Sequence, residues 1–187
     1  MTVGHEEFTY RELFDILGTF EAPPGFKAEL VRGEIVLSPH GRVHNEIILA
    51  GWEAARSAGL PHWRVVSHVL TPFPRTWSGF CPDVSILRSS ASWTARPLPR
   101  SEIAGAIEVV SADPGERYYG IKVQEYAAAG IDAYLIADPY KGLCTLFTGP
   151  ENGAYPEPET YPFGATVTFT ADGTEFVLDT SDWPRIG

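Results

Sequence analysis

The sequence predicts an α/β chain (mixed α+β) built on one central mixed β-sheet, and three observations carry that prediction. Segments of helical and strand periodicity follow one another along the chain. The 16 prolines and 18 glycines suit the many turns of a sheet protein better than a helical bundle. A strand–helix–strand unit from Ala104 to Ala137 requires a crossover, and so at least one parallel strand pair.

The elements can be justified in order. "TYRELFDILG" begins with Thr9 and has Glu12 three residues later, a capping box. Leu13, Ile16 and Leu17 make its apolar stripe, and Gly18 is the expected stop. "KAELVRGEIVLSP" reads as two short strands joined by a tight turn at Arg32-Gly33. "RVHNEIILAGWEAARSAGL" is a helix with Ile47, Ile48, Trp52 and Ala55 on one side, ended by Gly59. "WRVVSHVL", "FCPDVSILR" and "AGAIEVVS" are strands, and "PGERYYGIKVQEYAAAG" is a helix ended by Gly130. "DAYLIADP" and "LCTLFTG" are strands, "PENGAYPEPETYP" a loop, and "ATVTFTA" and "EFVLDT" the closing strands. There is no internal repeat and no linker.

With 187 residues, 44% of them apolar, the chain is long enough to bury a core without staples. Its net charge of −10 argues against broad non-specific nucleic-acid binding, which needs clustered Lys and Arg. Cys81 and Cys144 do not form a C-x-x-C pair, and two reduced, partly buried thiols are expected. The first residues have no apolar leader, and no apolar run is long enough to span a bilayer; a cytoplasmic protein with no membrane partner is expected.

Candidate chemistry lies where charge meets apolar strands. Asp83 opens the strand of Val84, Ile86 and Leu87; Glu108 stands between Ile107 and Val109; Lys122 lies on the helix that leaves that second strand. An unpaired carboxylate in an apolar interior costs several kcal/mol, on the order of the penalty for any buried ion. If the two strands pair, Asp83 and Glu108 project from one face at one level. Two close carboxylates repel, and a hard divalent cation relieves that repulsion with oxygen ligands. Such an ion polarises a phosphoryl oxygen and lowers the pKa of bound water.

Pro82-Asp83 followed by Glu108-Val109-Val110 resembles the PD-(D/E)XK signature of restriction-endonuclease-like phosphodiesterases. The lysine two places after the glutamate is replaced by Val110. In the Uma-two family of that superfamily the lysine stands on the next helix, and this sequence is similar to that family over most of its length. "AELVRGEIVLSP" resembles its hairpin, and His44 a histidine at the head of the following helix. "CPDVSIL" and "AIEVVS" resemble its two acidic strands. "KVQEYAAAGIDAYLIADP" resembles its last helix and strand, with Lys122, Tyr126, Gly130 and Asp138-Pro139 in place. The family usually has Asp where Tyr118 stands.

The resemblance implies a single restriction-endonuclease-like domain over residues 1–187, with its sheet flanked by helices. An N-terminal helix and hairpin, a core at 27–148 and a C-terminal β extension at 160–180 complete the expectation. It implies an endonuclease hydrolysing DNA phosphodiester bonds with magnesium, for which manganese can substitute. Asp83, Glu108 and the backbone carbonyl of Val109 would ligate the metal, and Lys122 would sit by the attacking water. Glu29, within its strand, is chosen over Glu34 as a further acid, and His44 is expected to cap its helix. A homodimer is implied by the resemblance alone. The alternative is a catalytically degenerate nucleic-acid- or protein-binding module on the same fold, with Arg88, Arg96, Arg100, Arg117 and Lys122 as a positive rim. A third reading, a β-barrel with Trp63, Trp77 and Trp93 lining a pocket, is disfavoured by the central strand–helix–strand unit.

Overall fold

In a computed structural model, which describes residues 8–111 and 117–186, the capping box at Thr9 forms. The Thr9 N–H and hydroxyl donate to Glu12 Oε2 at 2.7 and 2.8 Å, at the head of α1 (Tyr10–Thr19). Leu13 and Leu17 are buried against Leu30, whereas Ile16 is left on the outer face. Gly18 does not stop the helix. The chain continues to Thr19, whose hydroxyl donates back to the carbonyls of Asp15 and Ile16, and Phe20 is the cap.

The hairpin is β1 (Phe26–Val31) and β2 (Glu34–Pro39), and Arg32 and Gly33 between them both take positive φ, 51° and 83°. A two-residue turn of that kind matches the twist of the flanking strands. Next come α2 (Arg42–Ser57), β3 (Val65–Val66), β4 (Thr71–Phe73), β5 (Ser78–Phe80), β6 (Val84–Leu87) and β7 (Ile103–Val109). A π turn at Arg117–Lys122 leads into α3 (Val123–Ala128). The remaining strands are β8 (Ala133–Asp138), β9 (Leu143–Thr148), β10 (Glu159–Pro162), β11 (Thr166–Ala171) and β12 (Thr174–Asp179). Pro114 to Glu116, expected to begin the last helix, lie outside the described residues.

The larger sheet has the order β10-β9-β8-β7-β6-β3, with β7 and β8 parallel, as the crossover demands. A four-stranded sheet, β2-β1-β5-β4, stands beside it, and β11 pairs with β12. The strand expected over "WRVVSHVL" shrinks to Val65–Val66, because a 3-10 turn precedes it and His68 takes φ 56° to place its N–H on the Pro82 carbonyl. β4 and the first two residues of β5 fall in segments read as connections, and β10 falls in the Pro/Glu-rich loop.

Side chains alternate across the larger sheet. Val84, Ile86, Ile107, Val109 and Leu135 pack with α2 and the β11–β12 hairpin in one core. Ala106, Val110, Tyr134 and Ile136 face a second core with Phe73, Phe80, Tyr118 and Tyr126. α2 lies unusually close to its core: a Cβ on Gly51 would meet Ile107 Cδ1 at 3.1 Å and Val84 Cγ2 at 3.3 Å. Period two therefore turns Glu108 toward the second core, between the four-stranded sheet and α3.

Candidate active site

In the antiparallel β6–β7 pair Val84 faces Ile107, which sets Asp83 level with Glu108. Asp83 is oriented by the chain itself: its Oδ2 accepts the Val109 N–H at 2.8 Å. Lys122 reaches the same place from the end of the π turn. Its Nζ donates to Glu108 Oε1 at 2.6 Å and to Glu29 Oε1 at 3.0 Å. One turn further on, the Tyr126 hydroxyl also donates to Glu108 Oε1, at 3.0 Å. Asp83, Glu108, Lys122 and Glu29 thus converge in one buried cluster. Glu34, the other hairpin candidate, is exposed at the turn.

Sequence reasoning missed a fifth member, Lys27. Its ammonium donates to Asp83 Oδ1 at 2.7 Å, to the Cys81 carbonyl at 3.0 Å and to Glu108 Oε2 at 3.3 Å, and lies 4.0 Å from Glu29 Oε1. The signal was present: Lys27 is two residues before Glu29, so both share a face of β1. Together they clamp the backbone of one residue on both sides, since Glu29 Oε1 also accepts the Cys81 N–H at 2.8 Å. That clamp joins β1 to the segment Cys81–Asp83, which passes from the smaller sheet into the larger one.

Three carboxylates against two ammonium groups leave the cluster one negative charge in excess. Glu108 and Lys122 are fully enclosed, Glu29 and Asp83 are 1% exposed, and Lys27 is 8% exposed. Burial favours the neutral form of every member. For Asp83 this is outweighed by Lys27 and by hydrogen bonds from His68, Lys27 and Val109, so its carboxyl is held well below the usual range. Burial likewise opposes ionisation of Glu29, but Lys122 and Lys27 bring it down. Glu108 goes the other way: burial, with Asp83 and Glu29 nearby, raises it despite both lysines. Burial works against the charge of Lys27 and Lys122 too, yet the surrounding carboxylates raise both.

Around this centre stand aromatic rings and histidines. The Lys122 Nζ lies 5.0 Å from the Tyr118 ring centroid and 5.3 Å from that of Phe80. Tyr118 contributes a ring to the lysine's enclosure. His44 does not cap α2; it is buried within the first turn, with Nε2 3.0 Å from the Val109 carbonyl. His68 Nε2 lies 3.2 Å from Asp83 Oδ1. A cavity of about 300 Å³, lined by Lys27, His40, His68, Cys81, Phe20 and Phe26 among others, adjoins the cluster at Lys27.

Of the residues expected to make a positive rim, Arg96 and Arg100 are exposed, whereas Lys122 is buried, Arg88 is bound to Asp132 at 3.0 Å, and Arg117 donates to Ser38 Oγ at 2.7 Å. Trp63 and Trp93 meet edge-on at 6.0 Å beside a pocket of about 260 Å³, but Trp77 packs near α1, and the sheets do not close into a barrel. Both cysteines are free and buried. Among the described residues no helix is long and apolar enough to cross a membrane.

A mixed sheet flanked by helices, with acids and two lysines clustered at the junction of strands, is consistent with the restriction-endonuclease-like fold expected from the sequence. The family model described as "Uma2: Putative restriction endonuclease" matches residues 11–181, and the chain belongs to that family. Among solved structures it is similar to a "putative nuclease belonging to DUF820 from Anabaena variabilis ATCC 29413". That likeness has 17% identity and a TM-score of 0.63, and covers 84% of this chain and 88% of the other. At that identity it speaks for the fold. No curated protein matches the chain.

Proposed function

We propose that this chain is a metal-dependent endonuclease hydrolysing DNA phosphodiester bonds, with Asp83, Glu108, Lys122 and Glu29 as its site. The observation that carries the reading is the convergence of these four side chains, brought from separate elements into one enclosed cluster. Among the described residues, no three His, Cys, Asp or Glu side chains form a metal cage by themselves. The candidate donors are the carboxylates of Asp83 and Glu108 and the Val109 carbonyl. Such an all-oxygen set fits magnesium, which keeps several waters and takes few protein ligands, and manganese can replace it. A divalent cation held there supplies Lewis-acid polarisation of a phosphoryl oxygen and a more acidic bound water.

The chain's own groups act around it. The Val109 N–H fixes the rotamer of Asp83, and Tyr126 and Lys122 together fix Glu108. Lys122, held on Glu108 and Glu29, is the group this reading assigns to the attacking water. Glu29 keeps the lysine charged and in place. Family likeness supports a homodimer and a DNA substrate, and sedimentation at micromolar concentration tests the former.

Plasmid cleavage with magnesium or manganese, beside Asp83→Ala and Glu108→Ala, tests the reading. Cleavage by the wild type and none by either variant is expected; equal cleavage by all three would mark contamination and refute it.

The second reading, a binding module on this fold, is favoured by one observation: Lys27 already engages both acids. Manganese titration by calorimetry separates the two, since a degenerate site shows no binding that depends on Glu108.

A further inference from the structure

Lys27 is the member of the cluster that neither the family motif nor the nuclease reading uses. Its ammonium touches one oxygen of each acid that the reading assigns to the metal, Asp83 Oδ1 at 2.7 Å and Glu108 Oε2 at 3.3 Å. A cation held by those two acids would compete for the oxygens this ammonium engages. We propose that Lys27 is a built-in counter-cation of the Asp83–Glu108 pair, which a divalent ion must displace to enter, so that the chain's metal affinity is set by competition with its own lysine.

The arrangement gives two buried acids one shared counter-charge. Without Lys27, Asp83 would keep His68 and the Val109 N–H as partners, and Glu108 would keep Lys122 and Tyr126. The charge count would then fall from one to two negatives in excess, which a divalent cation neutralises. Lys122 does not compete in the same way. It holds Glu108 by the other oxygen, Oε1, and is tied also to Glu29 and flanked by two rings.

Lys27 has a way out that Lys122 lacks. It is the most exposed of the five side chains and forms part of the wall of the cavity shared with His40 and His68. An ammonium swung into that cavity would face it beside the metal position, where an anionic phosphodiester can meet a positive charge. The same lysine would then hold the acids together before metal entry and attract substrate after it.

This rests on the metal reading of the site, and the test distinguishes the two. Manganese is titrated calorimetrically into the wild type, Lys27→Met and Glu108→Gln. Removing the competitor is expected to tighten binding by about tenfold or more, a difference of about 1.4 kcal/mol or more. Glu108→Gln is expected to abolish it. Equal or weaker binding in Lys27→Met, with the Glu108 dependence kept, overturns the competition and leaves the metal reading standing. No binding by any of the three overturns both.

A second measurement uses the wild type alone, in case Lys27→Met does not fold. With 15Nζ-labelled lysine, the Lys27 ammonium should show slowly exchanging protons without metal and lose that protection as magnesium is added, while Lys122 keeps its own. An ammonium at Lys27 that stays protected while Glu108 binds magnesium overturns the proposal.

Discussion

Lys122 Nζ and Glu108 Oε1 meet at 2.6 Å, although one residue ends a π turn and the other lies within a strand fourteen residues earlier. π turns recur at functional sites because the extra residue re-aims the side chains that follow. Here Tyr118, Ile121 and Lys122 face the core, followed by Tyr126 one α-helical turn beyond the lysine. Lysine and tyrosine therefore arrive at the same glutamate oxygen from one helical face.

Lys122→Met should leave Glu29 and Glu108 enclosed with Lys27 as their remaining cation. Breaking a buried ion pair from one side costs about 3–5 kcal/mol. The expected result is a large fall in the urea midpoint together with loss of cleavage. A variant as stable as the wild type would show that Lys122 is not needed to keep these acids buried.

The pH dependence of stability has a sign at each acid. Asp83 and Glu29 titrate lower in the folded chain than their usual values of about 3.9 and about 4.3. Their stabilisation is complete above those values and is lost as pH falls through the lower folded ones. Glu108 is raised, so its contribution is present below about 4.3 and lost as pH rises through its folded value. Asp83→Asn should therefore flatten the decline of stability in acid, and Glu108→Gln should steepen it. Urea titrations at about pH 7, about pH 4 and about pH 3 measure both slopes; identical slopes in the three proteins would refute the assignment.

Much of this site could be read from residue pattern, because two of its constraints are local. Period two turns Glu108 away from Ile107 and Val109, and the strand–helix–strand unit forces β7 and β8 to run parallel. Lys27 was equally legible by alternation with Glu29, but a lysine in a hairpin strand ordinarily points to solvent, and only the approach of Cys81 and Asp83 buries it. His44 was singled out, but its contact could not be read. Its partner, the Val109 carbonyl, belongs to a strand 65 residues away and offers no local signal. The short β4 and β5 were hidden for a related reason: three-residue strands are too short for alternation to show, and their neighbours, not their composition, make them strands.

Tyr118 tests whether its ring or its hydroxyl supports the buried Lys122 ammonium. Among the described residues its hydroxyl makes only a long bond to Ser111 Oγ, at 3.4 Å, whereas its ring is 5.0 Å from the Lys122 ammonium and the residue is 2% exposed. Tyr118→Phe should thus change stability by less than about 1 kcal/mol. Tyr118→Ala, which opens a cavity beside a buried charge, should cost about 3–5 kcal/mol. Thermal melts of the pair decide it, and equal losses in both would mean that the hydroxyl, not the ring, is what matters.

Gly51 links the packing of α2 to the position of the acids. A methyl group there would press on Ile107 Cδ1 at 3.1 Å and Val84 Cγ2 at 3.3 Å, the neighbours in sequence of Glu108 and Asp83. Either the helix lifts or the two strands shift by a few tenths of an ångström, and overpacking of this sort costs about 1–3 kcal/mol. If α2 lifts, His44 is drawn away from the Val109 carbonyl that it meets at 3.0 Å. Gly51→Ala should therefore lower stability and weaken manganese binding together, although it touches no charged group. His44→Gln, which replaces the imidazole with an amide donor and leaves α2 in place, should weaken binding less than His44→Ala. Calorimetry on the three variants separates the effects: if Gly51→Ala loses stability but binds manganese as the wild type does, helix seating and site geometry are independent.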